Sequence, residues 1–169
     1  MIRRIVTGGQ TGVDRAALDV ARALGIAYGG WVPRGRAAED GPIPATYTGL
    51  RETSSADPAL RTVLNVRDAD ATLVITRGPA VGGSARTLDA AARIGRPVLH
   101  LDLARRSADA AATLLVQWLT ERRPAVLNVA GPRAGEDPVI GDLAREVLTA
   151  AFRQTARAAD PRGPGSRRH

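Results

Sequence analysis

The 169-residue sequence contains no cysteine, no lysine and only two histidines, and each absence removes a class of chemistry. Without cysteine there is no thiolate nucleophile, iron–sulfur cluster or cysteine zinc site. Without lysine there is no Schiff-base lysine and no P-loop lysine, because all 24 basic residues are arginine. The histidines are His100 and the last residue, His169, so a multi-histidine metal site is excluded as well. Any chemistry must therefore come from carboxylates, hydroxyls, amides, arginine and the backbone.

Aromatic residues make up only 3% of the chain, although apolar residues of all kinds make up 44%. Small aliphatic side chains must fill the core, which suits a parallel sheet covered by alanine-rich helices. No apolar run approaches the roughly 20 residues that cross a bilayer, and the stretch MIRRIVTGG does not resemble a signal peptide. We expect a soluble, cytoplasmic protein without a membrane partner.

The formal net charge of +7 is concentrated partly at one end of the chain. Residues 157–169, RAADPRGPGSRRH, carry four Arg and one Asp and so account for +3 of it. This stretch is rich in Gly and Pro and has no periodicity, which predicts a disordered tail after a single domain over residues 1–156. The remaining charge is ordinary for a solvated surface, so nucleic acid is not an expected partner.

Strand-like and helix-like stretches alternate along the chain. Helical periodicity predicts helices at 14–25, 57–70, 87–95, 108–123 and 139–156. Short apolar runs predict strands at 2–7, 26–33, 71–76, 97–103 and 125–131. Residues 34–55 are polar and rich in Gly and Pro, which indicates a long functional loop. The alternation predicts a Rossmann-like three-layer α/β/α fold, with a mostly parallel, twisted sheet of about five strands and helices on both faces.

Paired glycines follow two of these strands, in TGGQTGVD (7–14) and RGPAVGGSART (77–87). Such loops gather at the ligand-binding edge of a parallel sheet. Glycine exposes backbone N–H groups there, and the amino end of the next helix favours an anion. We therefore predict a phosphate site in which hydroxyl groups assist the glycines; its residues are Gly8, Gly9, Thr11, Gly82, Gly83, Ser84 and Thr87. The alternative is that each loop is only a tight turn.

The segment WVPRGR (31–36) predicts the rest of the ligand. NAD is not expected, because its fingerprint needs glycine where Thr7 stands and an acidic residue after the second strand. Instead, Arg34 and Arg36 beside Trp31 suit a phosphorylated ring compound, with guanidinium on phosphate and the indole as a stacking face. A core Trp31 with two solvated arginines is the alternative.

Acidic residues lie near both predicted loops. Asp14 belongs to the site or merely stabilises the first turn of its helix. Glu39 and Asp40, in the long loop, could accept hydrogen bonds from a base or a pterin edge. No pair of acids has a spacing that supports acid–base catalysis, so we predict no catalytic residue.

Six stretches together resemble the family of molybdenum-cofactor carrier proteins: VTGGQTGVDRAALDVARALG, GGWVPRGRAAEDG, the segment from Tyr47 to Leu50-Arg51-Glu52-Thr53, RTVLNVRDADATLVI, GGSART and LNVAGP. The resemblance implies a homo-oligomer that binds molybdenum cofactor, a phosphorylated pterin dithiolene, without transforming it. A dimer or tetramer is the usual form for such folds. Molybdoenzymes are the implied partners. The family's first loop maps to Gly8, Gly9, Gln10, Thr11 and Gly12, and its second loop to Gly82, Gly83, Ser84 and Thr87.

The same larger group of Rossmann-like nucleotide-ligand proteins leaves other functions open. DATLVIT followed by paired glycines resembles the lysine-decarboxylase-like phosphoribohydrolases, which cleave nucleoside 5'-monophosphates. Their motif has Thr three residues after the glycines and then a catalytic Glu, whereas here Thr87 comes four residues after Gly83 and Asp89 is the only nearby acid. A nucleotide sensor is a further alternative. IVTGGQTGVDRAA also resembles the DNA-loading proteins, but DNA binding would need more stacking aromatics.

Overall fold

The computed structural model describes residues 1–159, where strands and helices alternate as the sequence predicts, apart from three additional short strands within residues 34–55. The helices are α1 Val13–Ala23, α2 Pro58–Asp68, α3 Gly82–Ile94, α4 Ala108–Arg122 and α5 Ile140–Ala159. The strands are β1 Arg4–Val6, β2 Ala27–Val32, β3 Ala37–Ala38, β4 Gly41–Pro42, β5 Leu50–Glu52, β6 Ala71–Thr76, β7 Val98–Asp102 and β8 Val126–Ala130.

Six strands form one parallel sheet in the order β5-β2-β1-β8-β6-β7, and β3 and β4 form a separate antiparallel hairpin. Helices α1, α4 and α5 pack together on one face, while α2 and α3 pack together on the other. The predicted Rossmann-like α/β fold is thereby confirmed, with six strands in the sheet instead of about five.

The main core lies between the sheet and the layer of α1, α4 and α5. Ile5, Leu73 and Leu127 of the sheet and Leu115 and Leu148 of the helices are fully buried there. Each such side chain contributes roughly 1.5–3 kcal/mol through burial. β6 is buried along its whole length, because helices cover both of its faces.

The additional strand in the sheet is β5, inside the segment predicted as a loop over 34–55. Leu50, Arg51 and Glu52 pair in parallel with Gly30, Trp31 and Val32 of β2. Only a pairing partner makes this polar stretch a strand, since it has no apolar pattern of its own and lies at the edge of the sheet.

Helix α3 begins at Gly82, five residues before the predicted start at 87. The glycine pair therefore forms the first turn of the helix instead of a preceding loop. The first N–H groups of a helix have no intrahelical acceptor, so the turn that contains them tolerates glycine better than the helix interior does.

Helix α5 continues to Ala159, three residues past the predicted end of the domain at 156. The rest of the predicted tail, residues 160–169, lies outside the described residues. Within residues 1–159, no helix combines the length and apolarity that crossing a membrane requires.

The order of the strands fixes where a ligand can enter. The chain runs outward from β1 to β2 and β5, then crosses to β6 and β7 on the other side, and returns to place β8 between β1 and β6. The loops that follow β1 and β6 therefore diverge around the end of β8. In open parallel sheets, such a point leaves a crevice at the carboxyl ends of the strands.

Candidate functional site

A cavity of about 210 Å³ lies at the carboxyl ends of β1, β6 and β8. Its walls come from the loop after β1, one face of α2, the first turns of α3, and the end of β8 with the loop after it. The lining residues are Gly8, Gln10, Asp14, Pro58, Arg61, Thr62, Asn65, Gly82, Gly83, Ser84, Arg86, Thr87, Asn128, Ala130, Gly131, Arg133 and Glu136.

The amino end of α3 forms one wall of this cavity. Val81 precedes the helix without a side-chain cap, and its carbonyl accepts from the N–H groups of Ser84 and Ala85. Gly82 and Gly83 contribute the first N–H groups, which a helix leaves without intrahelical acceptors. The Oγ of Ser84 is buried and has no hydrogen-bond partner within the described part of the chain. The wall therefore presents unused hydrogen-bond donors and the positive end of a helix dipole.

Three arginines add positive charge to the cavity. Arg61 donates from Nη1 to the carbonyl of Gly8 at 2.5 Å. Arg86 is exposed, and its side chain forms no ion pair or hydrogen bond with another residue of 1–159. Arg133 lies 3.3 Å from Oε2 of Glu39 and 3.8 Å from Oε1 of Glu136, measured from Nε. This arrangement suits an anion.

Asp14 is the one buried carboxylate among the lining residues, with 5% of its surface exposed. It accepts a hydrogen bond from the N–H of Gln10 at 3.2 Å. Burial raises the pKa of Asp14 to about 6, although the charge of Arg61 and the backbone N–H groups act in the opposite direction. The group therefore changes charge close to neutral pH.

Two buried asparagines join the cavity wall to the sheet. Asn65 of α2 bonds both backbone polar groups of Trp31, accepting from its N–H at 2.7 Å and donating to its carbonyl at 2.9 Å. Asn128 of β8 donates from Nδ2 to Oγ1 of Thr72 on β6 at 3.3 Å. The amide of Asn65 thus holds α2 against β2, and that of Asn128 links β8 to β6. Both residues line the cavity.

Seven of the fifteen residues named from the sequence lie around this one cavity: Gly8, Gln10, Asp14, Gly82, Gly83, Ser84 and Thr87. The structure thus brings the two predicted glycine segments together. The hydroxyl of Thr87 donates to the carbonyl of Gly83 at 2.9 Å, one turn back in the helix.

Three further residues of the first segment, Gly9, Thr11 and Gly12, do not line the cavity but contact the protein around it. Gly12 has φ 77°, and a β-carbon there would collide with the carbonyl of Pro132. Gly9 has φ 72° and packs against Ile43. Oγ1 of Thr11 donates to Glu39 and accepts from the N–H of Ala134 at 3.0 Å.

The remaining named residues do not line the cavity; the polar groups of Trp31, Arg34 and Arg36 bind the protein itself. Nε1 of Trp31 donates to Asp68 at 2.8 Å, and the guanidinium of Arg51 lies 4.5 Å from the centre of the indole ring. Arg36 donates to three backbone carbonyls, those of Ile43, Pro44 and Tyr47. Arg34 is exposed and lies 3.4 Å from the carbonyl of Ser54.

Glu39 and Asp40 close the β3–β4 hairpin onto the rest of the protein. Glu39 accepts from the hydroxyl of Thr11 and from the N–H of Gly135, and these bonds hold the pKa of its carboxyl below the usual range. Asp40 forms a bidentate ion pair with Arg15, and this pair holds the pKa of Asp40 below its usual range. Both carboxylates therefore already have hydrogen-bond or ion-pair partners within this chain.

The face of α2 is the part of the site that sequence reasoning missed. Pro58, Arg61, Thr62 and Asn65 follow one another at helical spacing, so they occupy one side of the helix and line the cavity together. Polar residues on a helix side that faces a sheet are the signal that could have revealed them. Asn128 gives a similar signal, as an amide in the apolar strand VLNVA.

The fold and the site define a Rossmann-like α/β protein with a basic cavity at the switch point of its sheet. Residues 5–152 match the circularly permutated YpsA SLOG family, and the chain belongs to that family. A similar solved structure is that of a "putative molybdenum carrier protein" from Syntrophus aciditrophicus SB. It is 48% identical, covers 89% of this chain and 95% of its own, and has a TM-score of 0.87. No curated protein matches the sequence. The predicted family is thus confirmed.

Proposed function

We propose that this chain binds a phosphorylated ring compound in the cavity, and that the compound is molybdenum cofactor, carried without chemical conversion. The observation that carries the proposal is the amino end of α3. There the buried Ser84 Oγ has no hydrogen-bond partner among residues 1–159, and Arg61, Arg86 and Arg133 line the same cavity. A phosphate group would supply acceptors for the free donors at this helix end and a negative charge for the arginines.

The strength of such a site matches reversible binding. Hydrogen bonds to a charged group contribute roughly 1.5–3 kcal/mol each. Four of them, less the cost of association, give an affinity on the order of micromolar. A carrier that must release its cargo needs an affinity of this kind.

The cavity also has a place for the ring. At about 210 Å³ it is somewhat smaller than typical small-molecule pockets of roughly 300–1,000 Å³, so the phosphate and one ring edge fill it and the remainder of the ligand extends outward. Asp14 and Asn128 are the buried polar groups that would meet an amino-bearing ring edge. The name of the Syntrophus protein supports molybdenum cofactor as the compound.

Binding without conversion is favoured over hydrolysis of a nucleoside monophosphate. The hydroxyl of Thr87 is engaged with the carbonyl of Gly83, and Asp89 is exposed and outside the cavity lining. The proposal includes a cytoplasmic homo-oligomer, dimer or tetramer, that hands its cargo to molybdoenzymes.

Acid release of the ligand from purified protein tests this function. The released material is separated by chromatography with detection of both pterin fluorescence and nucleotide absorbance. We expect a fluorescent oxidised pterin at close to one per chain. A nucleotide instead would favour the sensor or the phosphoribohydrolase, and incubation with that nucleotide would show whether it is cleaved.

Two arginine variants make the test specific to the cavity. Arg86→Ala removes a lining guanidinium, whereas Arg93→Ala removes an exposed one from the same helix outside the cavity. We expect less pterin in the first variant and an unchanged amount in the second. Equal amounts in both would contradict the placement of the phosphate.

A further inference from the structure

The carboxylate of Glu136 lies at the amino end of α3. Its Oε1 is 3.6 Å from the point where a β-carbon on Gly82 would stand, and Glu136 itself lines the cavity. Gly82 is the first residue of the helix. Glu136 thus places a negative charge where the helix dipole favours an anion.

Two groups show that this end of α3 is built for a ligand and not only for Glu136. Ser84 is 4% exposed and lines the cavity, yet its Oγ has no hydrogen-bond partner among the described residues. Arg86, in the same turn region, forms no ion pair with any of them. Glu136 therefore leaves donors and charge at this end of the helix unused.

The contacts that hold the Glu136 side chain in place are weak enough for it to move. Its side chain is 39% exposed and lies 3.8 Å from Nε of Arg133, and its Oε2 accepts from the N–H of Arg133 at 3.3 Å. Arg133 has a closer acidic neighbour in Glu39, at 3.3 Å. An exposed pair at such distances is weak, so little holds the carboxylate at the helix end.

We infer that Glu136 competes with the phosphate of the ligand for the amino end of α3, and so lowers the affinity of the site. The inference rests on the proposed function, because it presumes that a phosphate binds in this cavity. A competing carboxylate makes the cargo easier to release.

Glu136→Gln tests the inference, because Gln has nearly the same shape and its amide oxygen can still accept from the N–H of Arg133. The matched control is Glu121→Gln, which removes the same charge from an exposed position on α4, outside the cavity. The affinity of each purified protein for inorganic phosphate is measured by ³¹P NMR titration at low and at high salt. Thermal unfolding checks that both variants are folded.

We expect Glu136→Gln to bind phosphate about fivefold more tightly than the wild type at low salt, with a smaller gain at high salt, because salt screens the repulsion. Glu121→Gln should bind like the wild type. Unchanged or weaker binding by a folded Glu136→Gln would overturn the inference and leave the proposed function standing. Failure of both wild type and Glu136→Gln to bind phosphate would overturn both.

Discussion

The guanidinium of Arg61 rests against the backbone of Gly8. Its Nη1 donates to the Gly8 carbonyl at 2.5 Å, and a β-carbon on Gly8 would stand 2.5 Å from that same nitrogen. A side chain at residue 8 would therefore displace the guanidinium of Arg61 from its present position. This contact joins the first glycine segment to a helix 53 residues further along the chain.

Gly8→Ala should act on ligand binding through Arg61. The new methyl group pushes the guanidinium out of its place, so Gly8→Ala and Arg61→Ala should each weaken phosphate binding by about tenfold. The double variant should bind no worse than the weaker single variant, because both changes remove one interaction. Additive losses in a titration of the four proteins would contradict this coupling.

Gly83→Ala should lower the affinity for phosphate without lowering the stability of the fold. A β-carbon at Gly83 would meet no atom of residues 1–159 within 4 Å, although Gly83 lines the cavity. Alanine is the better helix former by up to about 1 kcal/mol, so the unfolding temperature should stay level or rise. Phosphate affinity should nevertheless fall, because the methyl group narrows the space in front of the first turn. Unaltered affinity would move the ligand away from α3.

Asp14→Asn should change the pH dependence of stability. Because burial raises the pKa of Asp14 to about 6, the folded protein holds a proton that the unfolded chain, with a pKa near 3.9, has lost. The stabilisation is complete below about pH 4 and is lost as the pH rises to about 6, a fall of up to about 3 kcal/mol in unfolding free energy.

The variant lacks this titration, and its amide oxygen can still accept from Gln10. The difference in unfolding free energy between the two proteins should therefore shift in favour of Asn by up to about 3 kcal/mol between pH 4 and pH 7. Denaturant melts at four or five pH values measure it. Parallel profiles for the two proteins would show that Asp14 does not titrate in this range.

Arg36→Ala should cost stability and leave ligand binding intact. The guanidinium bonds the carbonyls of Ile43, Pro44 and Tyr47, and it does not line the cavity. Loss of these bonds should lower the unfolding free energy by about 1–3 kcal/mol. Phosphate affinity should equal that of the wild type at low and high salt. A salt-dependent loss of affinity would instead restore Arg36 to the site.

Local patterns were sufficient to predict most of the fold. The apolar run ATLVIT is a strand with the predicted bounds, since burial on both faces demands continuous apolar residues. β5 escaped prediction because Leu50–Glu52 is a strand only through pairing with β2. The start of α3 was misplaced because glycine in a first turn looks the same in the sequence as glycine in a loop.

The candidate site was predictable only where it depends on the backbone. Gly8 and Gly83 could be recognised in the sequence as members of glycine pairs that follow strands, and both line the cavity. The sequence pattern favoured Arg36 for phosphate and gave no reason to choose Arg61. Both arginines donate to backbone carbonyls in the structure, but only Arg61 also lines the cavity. No local pattern of charge carries that distinction.

The most direct test of the account is an amide NMR titration of the ¹⁵N-labelled protein with molybdenum cofactor released from a purified molybdoenzyme. We predict that the N–H signals of Gly82, Gly83 and Ser84 shift most, because the N–H groups of the two glycines and the hydroxyl of Ser84 would hold the phosphate. The signal of Gly95, at the other end of α3, should stay in place. Saturable binding that leaves those three amides unmoved, or no binding at all, would contradict the account.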